Sequence, residues 1–144
     1  NEMEGINSRM DEVQASVLRV KLPRLDKDNE HRRLIASKYM EGIKNPMIQL
    51  PLRPRDEQEC VWHVFPIRCA ERDTLQKYLA EAGVHTLIHY PIAPHKQQAL
   101  SHLEHGPLPL TQRIHEEELS LPISPLMTVE DAEYVISLIN KFVK

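Results

Sequence analysis

The sequence predicts an α+β fold in which helices pack against a small antiparallel sheet. Helical and extended patterns follow one another in the order helix, helix, strand, helix, strand, helix, strand, helix. The 144 residues are enough for one hydrophobic core, and no internal repeat or low-complexity tract divides them. We therefore expect residues 1–144 to form one domain, with the leading helices as part of it.

Composition excludes several functional classes. Hydrophobic residues make up 41% of the chain and charged residues 27%, as in ordinary globular proteins. The net charge of −3 gives no electrostatic basis for binding nucleic acid or an anionic membrane. No run approaches the roughly 20 apolar residues of a membrane span, and we expect no signal peptide. The expected location is cytoplasmic, where Cys60 and Cys69 would stay reduced.

Two helices are predicted at the amino-terminal end of the chain. The first, over about 9–22, is predicted by apolar residues that recur with helical spacing, at Met10, Val13, Val17 and Val20. Pro23 interrupts this pattern, because a proline inside a helix kinks or restarts it. The second helix follows over about 24–42, and Gly42 is its expected stop.

The middle of the chain holds two expected strands on either side of a helix. Residues 60–68 are apolar on both faces, which predicts a buried strand, and Pro66 indicates an edge or strand-end position. A helix is expected over 72–82, with Gly83 as its carboxyl-terminal cap. Residues 84–90 are then expected to be extended.

The last third of the chain predicts a helix, a strand and a final helix. The helix is expected over 110–118 and the strand, which alternates apolar and other residues, over 119–123. Thr128 and Asp131 have the spacing of a capping box. One face of the final helix is apolar, at Ala132, Val135, Ile136, Ile139 and Val143.

Eight histidines invite a metal-binding interpretation. His85 and His89 are four residues apart, with His95 close behind, but the segment between the first two is expected to be extended. Two residues four apart in a strand lie roughly 13 Å from each other, so they cannot share one ion. We expect these histidines to be structural or exposed, and we assign no metal ligand.

The first of two polar clusters lies at the start of the first helix, in residues 5–11. Free backbone N–H groups at a helix amino terminus favour anions, Asn7 adds a neutral donor, and the guanidinium of Arg9 suits phosphate. The alternative is that Asn7 or Ser8 caps the helix and Asp11 lies in its first turn. Both interpretations remain open from local chemistry.

The second polar cluster is a proline-stiffened loop over residues 88–97. It offers hydrogen-bonding side chains at His89, Tyr90, His95 and Gln97. Rigid polar loops held by a scaffold are common binding sites. The alternative is a turn that holds a satisfied histidine.

Both clusters resemble segments of one known family. Residues 7–15, NSRMDEVQA, are similar to the N-S/Y-R-M/L-D-E-x-Q-A-A segment of the sugar aminotransferases of the DegT/DnrJ/EryC1/StrS family, and residues 89–97, HYPIAPHKQ, to its HYPxPxHxQ loop. Residues 62–65, WHVF, resemble its W-H-x-F strand. Residues 119–123, LSLPI, resemble its LSLP segment, and Glu118 lies where these enzymes often carry glutamate. The four segments keep the family's order and spacing over essentially the whole chain.

The resemblance implies a specific activity. Members of the family are fold-type I homodimers that use pyridoxal 5′-phosphate (PLP) to move an amino group, usually from glutamate, onto a nucleotide-linked keto sugar. Their PLP is held by a lysine of the large N-terminal domain, which precedes the small C-terminal domain that this chain resembles. We therefore expect the chain to lack that lysine-bearing domain, to be inactive by itself and to bind PLP weakly or not at all.

The resemblance also implies roles for single residues. Asn7 would contact the PLP phosphate of the neighbouring subunit, and Arg9 would lie near the diphosphate of the nucleotide sugar. His89 and Tyr90 would contact the substrate sugar, also across the dimer. No catalytic residue of the family falls within this chain.

The loop departs from the family pattern at two positions. Ala93 stands where a second proline is common, and Lys96 where leucine is often found. Its HYP-x-x-PH form is more similar to the branch that acts on 3-keto sugars than to the 4-keto branch. Three alternatives stay open: a PLP-dependent sugar dehydratase, a regulatory relative, and a stand-alone binding module for anionic sugars.

Overall fold

A computed structural model describes residues 9–56, 59–103 and 106–143, and within these ranges the chain forms helices around a two-stranded sheet. The helices are α1 (Glu12–Lys21), α2 (Leu25–Gly42), α3 (Arg72–Glu81), α4 (Pro109–Glu117) and α5 (Val129–Lys141). Strands β1 (Phe65–Arg68) and β2 (Glu118–Leu121) pair in antiparallel fashion, with Phe65 opposite Leu121 and Arg68 opposite Glu118. The predicted α+β class with a small antiparallel sheet is confirmed.

Helix α1 begins later than the pattern predicts, and its side chains remain outside the core. Asp11 is its N-cap, because the Asp11 carboxylate accepts the backbone N–H of Gln14 at 2.7 Å. The alternative in which Asn7 or Ser8 is the cap and Asp11 lies in the first turn is therefore wrong. No residue of α1 is buried, and Val13 and Val20 are about three-quarters exposed.

The restart at Pro23 is confirmed. The 3₁₀ turn Leu22–Arg24 separates α1 from α2, since a proline cannot donate the backbone hydrogen bond of a continuous helix. Helix α2 then packs along α5. Gly42 ends α2, as predicted, but its role at this place is to leave space. A Cβ atom there would lie 2.8 Å from Cδ1 of Ile136 on α5.

One buried cluster joins α2, the sheet, α3 and α5. The ring of Phe65 lies 5.0 Å from the ring of Tyr39 and 5.2 Å from that of Trp62. The fully buried side chains with the largest volumes are Tyr39, Phe65, Ile35, Ile67, Leu75, Leu79, Leu119, Ile139 and Cys69. The site described below is built on the rigid support of this cluster.

The first predicted strand is shorter than expected. Strand β1 covers only Phe65–Arg68, because Trp62 adopts a positive φ of 50°, which interrupts the extended chain. Val61, predicted to be buried, is 42% exposed. On its outer edge, β1 is joined to Gln49 by a single bridge at Arg68, since Pro66 has no N–H with which to extend that pairing.

The second predicted strand, 84–90, is reduced to one bridge between Leu87 and Ser120 of β2. The next pair in an antiparallel ladder would join His89 to Glu118. Instead, the backbone N–H of His89 donates to the Glu118 carboxylate at 2.7 Å, and the Glu118 carbonyl accepts from Arg72 at 3.2 Å. The side chain of Glu118 thus takes the donor that the ladder needs, and the pairing stops.

Three local predictions are confirmed. Gly83 has a φ of 80° after the end of α3, a conformation that glycine adopts at little cost. Thr128 and Asp131 form both bonds of the capping box, and the backbone N–H of Thr128 lowers the pKa of the Asp131 carboxyl. Cys60 and Cys69 are free thiols, and burial raises the pKa of Cys69.

Replacing Gly42 by alanine tests the close approach of α2 and α5. We expect Gly42→Ala to lower the free energy of unfolding by about 1–3 kcal/mol through overpacking against Ile136, reduced by the better helix propensity of alanine. Urea denaturation measures the change. Gly106→Ala is the matched control, because nothing lies within 4 Å of its Cβ position. If Gly42→Ala lowered the free energy of unfolding by the same amount in a protein that already carries Ile136→Ala, overpacking against Ile136 would be excluded as the cause.

From the buried hydroxyl of Tyr39 we predict how the free energy of unfolding changes at alkaline pH. Burial, and secondarily the Asp131 carboxylate, raise the pKa of Tyr39 above its ordinary value near 10. The Tyr39 hydroxyl therefore loses its proton at a lower pH in the unfolded chain than in the folded one. Its contribution to the free energy of unfolding is complete below about pH 10 and is lost as the pH rises.

Tyr39→Phe should remove part of this alkaline loss, measured as the change in unfolding free energy between about pH 9 and 11. It should also cost about 1 kcal/mol at neutral pH, since the bond from the Tyr39 hydroxyl to the Pro122 carbonyl disappears. Tyr134→Phe is the control, because that hydroxyl also donates to a carbonyl but belongs to a half-exposed residue. Identical alkaline slopes in the two variants would exclude Tyr39 as the source.

Candidate functional site

Strand β2 carries the polar part of the site on the face opposite the core. Successive side chains of a strand alternate between its two faces, so Leu119 and Leu121 enter the core while Glu118 and Ser120 face the other way. Both polar side chains are nevertheless buried, Glu118 to 6% and Ser120 to 4% exposure. A buried carboxylate is stable only with hydrogen-bond partners, and these come from the 88–97 loop and from β2 itself.

Glu118, Ser120 and His89 form one hydrogen-bonded cluster. The Ser120 hydroxyl lies 2.6 Å from Oε1 of Glu118, and Nδ1 of His89 lies 2.9 Å from the same hydroxyl. Oε2 of Glu118 accepts the backbone N–H of His89 at 2.7 Å. The carboxylate therefore holds both the main chain and, through Ser120, the ring of His89.

A groove of about 830 Å³ opens beside this cluster. His89 and Ser120 contribute to its wall together with further polar side chains, among them His63, His85 and Tyr134. The groove combines imidazole, hydroxyl and phenol groups and the carboxylate of Asp131 with apolar side chains. Such a mixture of donors and acceptors suits a ligand that carries hydroxyl groups.

Tyr90 lies at the outer end of the cluster and is 66% exposed. Its ring packs edge-on against the ring of His89, with centroids 5.6 Å apart, and the peptide bond between the two residues is cis. The Tyr90 carbonyl is 2.6 Å from Nδ1 of His115 on α4. Since a carbonyl only accepts, His115 must donate from Nδ1, and it ties the loop to the helix.

The structure brings together two of the four residues that the sequence singles out. The rings of His89 and Tyr90 are in contact, and His89, but not Tyr90, lines the groove. Arg9 is exposed ahead of α1, and none of the hydrogen bonds between described residues joins it to His89. Asn7 lies outside the described residues.

Neither a metal cluster nor a spanning helix is found in the described ranges. His85 and His89 both line the groove, yet no three His, Cys, Asp or Glu side chains described there are grouped so that they could hold an ion. In the same part of the chain, every helix is too short or too polar to cross a membrane.

Comparisons with known proteins identify the family of the chain. A model of the DegT/DnrJ/EryC1/StrS aminotransferase family matches residues 1–140. The chain belongs to this family. The resemblance read from the four sequence segments is thereby confirmed.

One relative within the family is the dTDP-3-amino-3,6-dideoxy-alpha-D-galactopyranose transaminase of Aneurinibacillus thermoaerophilus. It is 49% identical over 142 residues, which cover 99% of this chain and 39% of that protein. The chain thus spans about two fifths of the length of this relative.

Two solved structures that match the chain have the same fold. DesV of S. venezuelae, in complex with a ketimine intermediate, superposes with a TM-score of 0.86 at 36% identity, over 99% of this chain and 40% of DesV. The NtdA protein of Bacillus subtilis, with bound cofactor PMP, gives 0.80 at 30% identity, over 94% of this chain and 33% of NtdA.

The lining of the groove does not fit a covalent PLP site. A lysine amine is needed to hold PLP, and the groove beside His89 is lined by none. Its histidine, serine and tyrosine side chains fit instead the wall that faces a substrate. The groove is therefore a candidate binding surface for a polar ligand.

Sequence reasoning missed the residues that position the loop. The sequence indicates Glu118 only through its resemblance to the family, and it does not single out Ser120 or His115. A local pattern does indicate Glu118 and Ser120, because two polar residues at alternate positions of an otherwise apolar strand lie on the same face. No local pattern could have paired His115 with Tyr90, 25 residues away.

Removing the imidazole of His115 tests whether α4 holds the loop. His115→Ala deletes the donor to the Tyr90 carbonyl, a bond worth about 1 kcal/mol, so local opening should increase about fivefold. Hydrogen exchange at the backbone amide of His89 reports this opening. His85→Ala removes a histidine that lines the groove but does not bind the Tyr90 carbonyl, so it should leave the exchange rate unchanged. Equal rates in all three proteins would show that His115 does not restrain the loop.

Proposed function

We propose that this chain is the small C-terminal domain of a PLP-dependent aminotransferase that acts on a nucleotide-linked keto sugar. The observation that carries the proposal is the groove beside the Glu118–Ser120–His89 cluster, whose imidazole, hydroxyl, phenol and carboxylate groups are suited to sugar hydroxyls. Family membership supports amino transfer, and the 49% identical relative is named for an amino group at C3 of a dTDP-linked sugar. We infer the same position, C3, as the site of amination, with glutamate as the amino donor.

PLP would be held by a lysine of the remainder of the full-length protein and would carry the amino group from donor to acceptor. This chain would supply contacts around it. The amide of Asn7 would donate to the PLP phosphate of the neighbouring subunit, and Arg9, exposed at the start of α1, would pair with the sugar-linked diphosphate. His89 and Tyr90 would bind sugar hydroxyls, which orients the keto carbon for amino transfer.

The same proposal accounts for the exposed apolar residues of α1. Single exposed apolar side chains are ordinary, but a helix with no buried residue and several exposed valines and leucines offers a contiguous surface. In the full-length protein this surface would pack against the large domain and the second subunit of a homodimer. Roles given to Asn7, His89 and Tyr90 across the dimer require that arrangement.

Absorption spectroscopy tests the proposed reaction. We expect the full-length protein purified with PLP to show a visible band of bound cofactor, which glutamate converts to the spectrum of the aminated cofactor. The 144-residue chain alone should show no such band, because its groove has no lysine to hold PLP.

Two outcomes would contradict the proposal in different ways. A band that glutamate and other amino donors leave unchanged would favour a dehydratase or a regulatory relative. Stable binding and amino transfer by the 144-residue chain alone would show that the cofactor anchor lies within this domain.

A further inference from the structure

We propose that Glu118 and Ser120 are positioning residues that hold His89 as the tautomer protonated at Nδ1. Nε2 of His89 is then unprotonated and faces the groove as an acceptor for a hydroxyl group of the substrate. The assignment of the tautomer depends only on the hydrogen bonds of the cluster. The identity of the group that meets Nε2 rests on the proposed function.

The number of protons at Ser120 decides the tautomer. Its hydroxyl has one proton and lies between two partners, Oε1 of Glu118 at 2.6 Å and Nδ1 of His89 at 2.9 Å. An ionised carboxylate can only accept, so Ser120 donates its proton to Glu118. The remaining contact then requires a proton on Nδ1 of His89, which donates to the Ser120 oxygen.

Both carboxyl oxygens of Glu118 accept a hydrogen bond. Oε1 accepts from the Ser120 hydroxyl at 2.6 Å, and Oε2 accepts from the backbone N–H of His89 at 2.7 Å. A protonated carboxyl could donate to Ser120 and reverse the chain, which would place the proton of His89 on Nε2. Carboxyl groups are ordinarily ionised at neutral pH, which opposes that reversal.

Nε2 of His89 is left available. None of the hydrogen bonds between described residues uses it, whereas Nδ1 is occupied by Ser120. Among the described residues, Thr86 Oγ1 is the one side-chain polar atom that is fully buried and has no hydrogen-bond partner. Nε2 of His89 also has no partner among these residues, so it is not fully buried and is in contact with solvent. His89 lines the groove, and an incoming hydroxyl can therefore donate to Nε2.

The arrangement makes the groove selective for a donor at this point. An imidazole with Nε2–H would offer a donor and favour a carbonyl or phosphate oxygen, whereas the Nδ1–H form favours a hydroxyl. The buried carboxylate fixes this choice although it does not line the groove. Glu118 therefore acts on the substrate only through Ser120 and His89.

Nitrogen NMR of the imidazole tests the tautomer directly. The full-length protein, labelled with ¹⁵N only in histidine, is measured by magic-angle spinning, where its size is not limiting. Protonated and unprotonated ring nitrogens have well-separated shifts, and the resonances of His89 are identified by their loss in His89→Gln. We expect a protonated Nδ1 and an unprotonated Nε2 at neutral pH. A protonated Nε2 in the unmodified protein would overturn the proposal without any variant.

Glu118→Gln is the sharpest variant because it should invert the tautomer. The carbonyl oxygen of the introduced amide can still accept the N–H of His89, but the amide nitrogen must then donate to Ser120. Ser120 in turn donates to Nδ1, and the proton of His89 moves to Nε2. Glu117→Gln is the matched control, since the Glu117 carboxylate binds Arg68 and not the cluster, and it should leave the tautomer unchanged. An unchanged tautomer in Glu118→Gln would also contradict the proposal.

Kinetics on the same proteins separate this inference from the proposed function. For the keto sugar, Glu118→Gln should raise KM at least about tenfold with a smaller change in kcat, because the hydroxyl contact is made in both ground and transition states. Glu117→Gln should stay within about twofold. Failure of the unmodified protein to transaminate would contradict the proposed function, while the NMR result would still decide the tautomer. An inverted tautomer with unchanged KM would show that no substrate hydroxyl meets Nε2.

Discussion

The structure depends on strand β2, which is buried on both faces. Because side chains alternate along a strand, Leu119 and Leu121 can complete the core while Glu118 and Ser120 form a polar cluster on the other side. A shift of one residue in the pairing with β1 would place a carboxylate in the core and a leucine at the groove. Core packing and site geometry are thus set by the same register.

The cluster on β2 also explains why the sheet is so small. Glu118 takes the backbone N–H of His89 that a longer ladder would use, and Pro66 removes a donor on the opposite edge. The chain after Leu87 is therefore free to leave the sheet and form the 88–97 loop, which His115 holds at the Tyr90 carbonyl. The end of strand pairing and the start of the 88–97 loop both depend on the Glu118 carboxylate. Helices α2 and α5 and the core give the 88–97 loop a rigid support, and the loop carries the polar side chains.

Much of the secondary structure could be predicted because its causes are local. The cap at Thr128, the left-handed Gly83 and the restart at Pro23 each follow from the chemistry of a few neighbouring residues. The predictions that were wrong involve longer-range or less common choices. The strand over 60–68 was too long because Trp62 adopts a positive φ while its ring packs on Phe65.

The sequence alone determined the fold class and the family, and it directed attention to His89 and Tyr90, because periodicity and short motifs are local properties of the chain. Only the tertiary structure decided which groups act together with them. Glu118 and Ser120 meet His89 across about thirty residues, and His115 meets Tyr90 across a similar separation. Such hydrogen bonds depend on the register of β2 and on the position of α4, which no local pattern contains.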